Sequence, residues 1–157
     1  KPLRKGHGRG IAYHYSFGSH VVHVAEVSVD KTEGKIKVHK VVSVVDCGPV
    51  VNLDTVKAQI EGATLFGLSA ALMEKIQFSN GGVENESFYN YELIRMSDVP
   101  EIEVNVLRSR EKLGGVGEPG VPPVAPAVAN AVFNASGIRV RSLPMTPETI
   151  LKAMKNI

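Results

Sequence analysis

Gly114-Gly115-Val116-Gly117-Glu118-Pro119-Gly120 is the stretch on which the reading of the fold turns. From Gly115 to Gly120 it matches G-x-G-x-x-G to the letter, the fingerprint of a dinucleotide-binding βαβ unit. That fingerprint works where a strand runs directly into the first glycine and an acid further on meets the ribose. Here the preceding strand pattern, Ile102, Val104 and Val106 alternating with Glu101, Glu103 and Asn105, stops near Leu107. Pro119 stands inside the loop, and nothing after it reads as a parallel return strand carrying such an acid. The segment is better read as a loop whose glycines let the backbone come close to a neighbour. It leads to a helix start, where unpaired N–H groups favour an anion. Its one carboxylate, Glu118, is held by the proline that follows. Two readings stand side by side: a surface acid near a helix dipole, or a rigidly held general base.

Downstream, Pro122, Pro123 and Pro126 fall within reach of a first helical turn, where a missing N–H is tolerated. Val124, Val128, Val132 and Ala135 repeat at helical spacing, and Gly137 stands where a C′ glycine belongs. Thr146 then caps a short terminal helix from Pro147 to Lys155. Upstream the period is two. Gly10 to Asp30 alternate and read as two strands joined at Gly18-Ser19. After a turn at Thr32-Glu33-Gly34, Lys35 to Asp46 form a third strand rich in valine. This is an antiparallel meander. From Asp54 to about Lys75 the pattern becomes helical, with Asn52 or Asp54 as N-cap. Ala63 to Met73 are apolar on every side except at Thr64 and Ser69, which predicts a helix buried all round. Gly62 and Gly67 within it cost about 1 kcal/mol each relative to alanine, which predicts a close neighbour, a packing contact ahead of a ligand. Residues 80–98 read as a surface excursion. The fold class is α+β: antiparallel strands with a long buried helix, a second helix after the glycine-rich loop, and a short C-terminal helix, in a single domain over 1–157.

At 43% hydrophobic and 22% charged, the 157 residues have a globular composition. Eighteen Lys and Arg against sixteen Asp and Glu leave a formal charge of +2, no footprint for nucleic acid. The basic cluster Lys1, Arg4, Lys5 and Arg9 reads as a solvated end. No apolar run reaches the roughly 18 residues of a membrane span, and the first residues lack the apolar stretch of a signal peptide. Lys1 in place of an initiator methionine predicts a processed chain or a piece of a larger one. A single cysteine, Cys47, excludes an intrachain disulfide and an iron–sulfur cluster held wholly by this chain. Ahead of Gly48-Pro49 it reads as buried filler sooner than as a reactive thiol. His14, His20, His23 and His39 all lie on predicted strands. His20 and His23 are an odd number apart and point to opposite faces, which argues against a shared metal. No H-E-x-x-H spacing and no G-x-S-x-G elbow is present.

Three segments together resemble one family. Gly8-Arg9-Gly10-Ile11-Ala12 with Gly18-Ser19-His20-Val21 and Ala25-Glu26-Val27 is the first. The second is Val44-Val45-Asp46-Cys47-Gly48, Asn52, and Gln59-Ile60-Glu61-Gly62-Ala63. The third is the glycine-rich run, similar to a G-x-G-E-P motif. In this order and spacing they resemble the C-terminal half of molybdenum hydroxylase large subunits, the xanthine dehydrogenase and aldehyde oxidase family. Met96-Ser97-Asp98-Val99-Pro100 and the short interval to Gly120 look most like the isoquinoline 1-oxidoreductase β-subunit branch. Leu53 departs from the proline common after the asparagine, which bears on a local turn and little on chemistry.

The resemblance implies that Glu118 is a catalytic base, that Gln59 lies near the pterin, and that Gly115, Val116 and Gly117 bring main-chain groups to the cofactor. It implies molybdopterin, as its cytosine dinucleotide, with molybdenum, and 2Fe-2S clusters on a small partner subunit. The substrate would be an aldehyde or an N-heterocycle, with water as oxygen source. The chain would be the C-terminal part of a larger molybdopterin-binding subunit, inactive without the remainder and prone to self-association through the face left bare. The competing readings are a non-catalytic binding or assembly domain of the same fold, and a nucleotide-binding protein using the literal glycine pattern. Compartment, substrate and electron acceptor are left open by the sequence.

Overall fold

Side chains that alternate along a strand must choose two faces, and the first three strands make that choice as the sequence implies. β1 (His7–Ser16), β2 (Ser19–Val29) and β3 (Ile36–Asp46) form an antiparallel meander. The computed structural model describes residues 2–155, so Lys1 of the basic cluster lies outside them. The β1–β2 connection is made by Phe17 and Gly18, with φ of 52° and 75°. Positive φ at both central residues is the two-residue turn whose twist matches that of its strands. The turn therefore sits one residue earlier than Gly18-Ser19.

On the inward face β2 presents Val21, His23, Ala25 and Val27, and β3 presents Val41, Ser43 and Val45, all buried. Val38 is buried as well, although it stands an odd number of residues from Val41. The register slips there: Glu26 pairs with Lys40 but Val27 with Val38, so His39 is an extra residue that turns Val38 inward. A fourth strand, β6 (Glu101–Val106), joins the far side of β3 in parallel, giving the order β1-β2-β3-β6. Antiparallel pairing thus holds for β1 to β3, while β6 adds a parallel neighbour that its alternation did not announce. A parallel partner needs a long crossover, supplied by α1 (Leu53–Leu72) and the excursion after it. That excursion carries a small hairpin, β4 (Phe78–Ser79) and β5 (Gly82–Val83), and a 3-10 turn at Met96–Asp98.

The Oδ1 of Asn52 accepts from the Thr55 N–H at 3.0 Å and so caps α1. The helix buries Val56, Ile60, Ala63, Thr64, Gly67, Leu68, Ser69 and Ala71, yet Phe66 is 64% exposed. So α1 is not buried all round. It has a wet side, and Gly62 faces open space on it. Gly67 does have the close packing neighbour expected, since a Cβ there would meet Val124 at 2.8 Å. Val124 opens α2 (Val124–Ser136), which ends on Gly137 at φ 81°. The short α3 (Pro147–Met154) starts under the Thr146 cap. Its Ile150 joins Leu68, Val128 and Val132 in the main core.

α2 lies on β1 and β2 so closely that β1 carries glycine beneath it. A Cβ on Gly10 would land on the backbone N of Ala131 and the carbonyl of Ala127. Asn130 and Asn134 of the same helix satisfy main-chain groups of β1, donating to the Ile11 carbonyl at 3.0 Å and accepting from the Arg9 N–H at 3.1 Å. The outer face of the sheet is left to solvent. Ile11, Tyr13 and Tyr15 are more than half exposed, and the register sets them beside half-buried Val22, Val24, Val42 and Val44.

Two glycine substitutions are expected to act in opposite directions. Gly10→Ala sets side chain against rigid backbone and should destabilise by about 3 kcal/mol or prevent folding. Gly62→Ala fills open space inside a helix and should stabilise by about 0.5–1 kcal/mol. Urea unfolding midpoints of the two variants check both signs.

Candidate functional site

The glycine-rich loop is fastened from both ends. β6 leaves the sheet through one further ladder bond, Leu107 N–H to the Val45 carbonyl at 2.8 Å. Ser109 Oγ then donates to Asp46 Oδ1 at 2.6 Å, and the Gly48 N–H donates to the same oxygen at 3.1 Å. The Ser109 hydroxyl, with the Gly48 amide behind it, holds the Asp46 carboxyl below the ordinary carboxylate range. Gly114 N–H reaches the Cys47 carbonyl at 2.9 Å and Gly115 N–H the Phe17 carbonyl at 2.8 Å. Val116 turns its side chain into a second apolar cluster of Val21, Val45, Cys47, Val56 and Ile60. Burial pushes the Cys47 thiol up, which agrees with filler and not with a reactive nucleophile.

At the far end the Val121 N–H bonds the Glu118 carbonyl at 2.9 Å, closing a turn through Pro119 and Gly120. Gly120 is not at positive φ; room, not handedness, makes it glycine. A Cβ there would meet Ala63 Cβ at 2.8 Å and Ile60 Cδ1 at 3.3 Å on α1. Its carbonyl accepts a hydrogen bond from His23 Nε2 at 2.7 Å, and His23 Nδ1 lies 2.7 Å from Ser43 Oγ. A carbonyl only accepts, so Nε2 carries the hydrogen. Burial pulls the His23 pKa down despite the carbonyl's opposing pull, which keeps the ring neutral. Nδ1 is then an acceptor, and Ser43 Oγ–H donates to it.

Between these anchors the segment is open. Glu118 is exposed, and its carboxylate has no partner among the described residues. The N–H groups of Val116, Gly117 and Glu118 are likewise without a partner among the described residues. Gln59 is exposed on α1, its Nε2 lying 4.0 Å from where a Cβ on Gly117 would sit. The structure therefore brings Gln59 beside the loop at Gly117. Gly115 is different, because its N–H is already spent on Phe17. Among the described residues no group of three or more His, Cys, Asp or Glu could hold a metal ion. His20 and His23 do face opposite sides: His20 is exposed and takes Tyr13 Oη at 2.8 Å, while His23 is wholly buried. The sequence reading weighed His23 only as a metal ligand and missed its link to the loop. Its signal was two polar residues, His23 and Ser43, paired on valine-rich inward faces.

With this geometry in view, comparison with known proteins fixes the family. Residues 3–100 match the molybdopterin cofactor-binding domain. The chain is 42% identical over 133 residues to the membrane-bound aldehyde dehydrogenase [pyrroloquinoline-quinone] of Gluconacetobacter polyoxogenes, covering 85% of this chain and 17% of that protein. It is 39% identical over 142 residues to isoquinoline 1-oxidoreductase subunit beta of Brevundimonas diminuta, covering 90% and 18%. The crystal structure of quinoline 2-oxidoreductase from Pseudomonas putida 86 superposes with a TM-score of 0.81 at 25% identity, covering 87% of this chain and 19% of that one. The chain belongs to the molybdenum hydroxylase family and represents its molybdopterin-binding region. It spans less than a fifth of the length of these relatives. Among the described residues no helix is long and apolar enough to cross a membrane.

The buried histidine gives a pH signature. Above the ordinary histidine value of 6.5 the ring is neutral folded or unfolded. Below it the unfolded chain takes up a proton that buried His23 refuses, so stability falls as pH drops toward the lower folded value. The slope is at most about 1.4 kcal/mol per pH unit. Urea unfolding at pH 7.5 and 5.5 should show this loss in the native sequence and less of it in His23→Gln.

Proposed function

We propose that this chain forms part of the molybdopterin-binding subunit of a hydroxylase that oxidises an aldehyde or an N-heterocycle with oxygen from water, and that Glu118 is its general base. One observation carries the reading: an exposed carboxylate, unpartnered among the described residues, on a loop fastened at both ends, beside the Gln59 amide and a run of N–H groups that find no partner among those residues. A general base must already be ionised and within hydrogen-bond reach of its proton. An ionised carboxylate is acceptor only, and the Pro119–Gly120 anchor limits where this one can swing.

The residues fit an organic cofactor sooner than a bare ion. The amide of Gln59 can meet the edge groups of a pterin, and the N–H groups of Val116 and Gly117 can donate to its heteroatoms. When bound, the molybdenum cofactor, in our reading the cytosine dinucleotide form, would take up the electron pair of the substrate C–H bond that breaks as the new C–O bond forms. Glu118 Oε takes the proton from the oxygen nucleophile as it attacks the electron-poor substrate carbon. Electrons would leave through 2Fe-2S clusters on a partner subunit. The name of the 42% identical relative mentions a quinone instead, and metal analysis separates the two cofactors. The chain is read as a single domain, the C-terminal part of a longer subunit. The remainder of that subunit would complete the pocket and cover the outer sheet face bearing Ile11, Tyr13 and Tyr15, so the isolated chain is read as inactive.

In the complete subunit Glu118→Gln keeps the shape and removes the base. Turnover should fall by about 10²–10⁴-fold with molybdenum content unchanged; near-native turnover would sink the assignment. Wild-type protein that holds no molybdenum and turns nothing over would instead support a binding or assembly role. The isolated 157-residue chain should self-associate as its concentration rises, and Tyr13→Glu should weaken this in light scattering. A monomer at every concentration would count against the bare face being a contact surface.

A further inference from the structure

The loop that carries Glu118 is held from beneath by two side chains, His23 and Ser43, that touch neither solvent nor the site. Both are 0% exposed. They face each other across the β2–β3 ladder, since His23 pairs with Ser43 in register, and sit in a valine-rich layer where apolar residues would pack without polar cost. A buried imidazole and hydroxyl are expensive there unless satisfied. The hydroxyl spends its hydrogen on Nδ1, and Nε2–H is spent on the Gly120 carbonyl. The relay thus begins at Ser43 and ends on the loop backbone, two residues from Glu118. Gly120 also packs against α1, where a Cβ on it would meet Ala63 and Ile60, so the residue is held between helix and strand.

We propose that His23 is a positioning residue for Glu118, with Ser43 fixing the ring tautomer that lets Nε2–H hold the Gly120 carbonyl. This inference rests on the reading of Glu118 as the base. The relay restrains the turn Glu118–Val121 and hence the direction in which the carboxylate leaves it. Misplacement of a reacting group by about 1 Å costs on the order of 10²-fold in rate. Loss of the relay should therefore lower kcat and leave substrate and cofactor binding nearly intact.

The test uses the complete subunit with its electron-transfer partner and four variants: Glu118→Gln, His23→Leu, His23→Gln and Ser43→Ala. His23→Leu removes the donor and should reduce kcat about 10–100-fold, with KM and molybdenum content within about twofold of wild type. His23→Gln offers an amide N–H near the old Nε2 position and should recover most of that loss. Ser43→Ala frees the tautomer and should cost several-fold. The double variant His23→Leu with Glu118→Gln should be no slower than Glu118→Gln alone. Independently of turnover, hydrogen exchange on cofactor-free subunit should speed up about tenfold in the peptide covering 114–121 in His23→Leu, with the other core strands unchanged.

The outcomes separate the two ideas. If Glu118→Gln keeps native turnover, the base reading fails whatever His23 does. If Glu118→Gln collapses turnover but His23→Leu leaves kcat unchanged, loses molybdenum, or adds its full cost in the double variant, the positioning role is overturned. If His23→Leu does not accumulate as folded protein, the comparison rests on His23→Gln and Ser43→Ala. In that case exchange and kcat at wild-type levels in Ser43→Ala overturn it.

Discussion

Backbone pressed on backbone is the constraint from which the rest of this structure follows. α2 can lie flat on β1 because Gly8 and Gly10 leave no side chains in between. Once the helix lies there, Asn130 and Asn134 reach the main chain of the edge strand. Its N-terminal end is carried to the middle of α1, where Gly67 receives Val124 and Ala63 receives Gly120. The glycine-rich loop has little freedom left after that. It must span from the end of β6 to this junction, and its course past Cys47 and Phe17 is the path that remains.

The same geometry explains why an exposed loop can be held in place. Its glycines are commonly read as flexibility, yet here they are points of contact. Gly114 and Gly115 give their N–H groups to neighbouring strand ends, and Gly120 gives its carbonyl to a buried histidine. What stays free is the short interval of Val116, Gly117 and Glu118, together with the Gln59 amide. A site of this kind needs few charged groups, because an ordered backbone supplies donors that require no reorganisation.

Much of this was legible in the residues, and the rest was not for identifiable reasons. The meander showed because β-branched residues crowd β2 and β3 between the turn signals Gly18-Ser19 and Thr32-Glu33-Gly34. The caps showed because Asn52, Gly137 and Thr146-Pro147 carry local chemistry that few other positions would use. The parallel direction of β6 did not show, because Ile102, Val104 and Val106 alternate identically whichever way the strand runs. The bulge at His39 breaks the alternation between Val38 and Val41, a signal visible in the sequence but readable only against a partner strand. The α1 helix misled because Phe66 is apolar and yet lies on the exposed side. Of the site, Glu118 and its loop were named by their own pattern, and Gln59 only by resemblance. His23 escaped notice, since its partner on the loop lies 97 residues away and no periodicity reaches that far.

That separation has a consequence for how the molecule assembles. The pairings of β1, β2 and β3 are contacts between chain neighbours, available early at small entropic cost. The parallel pairing of β6, and the bond that closes a loop of 97 residues onto Gly120, become available only after the intervening chain is ordered. The entropic cost therefore favours the strands that hold His23 and Ser43 forming before the segment they grip. On this ordering the glycine-rich loop would be laid last onto a sheet already formed.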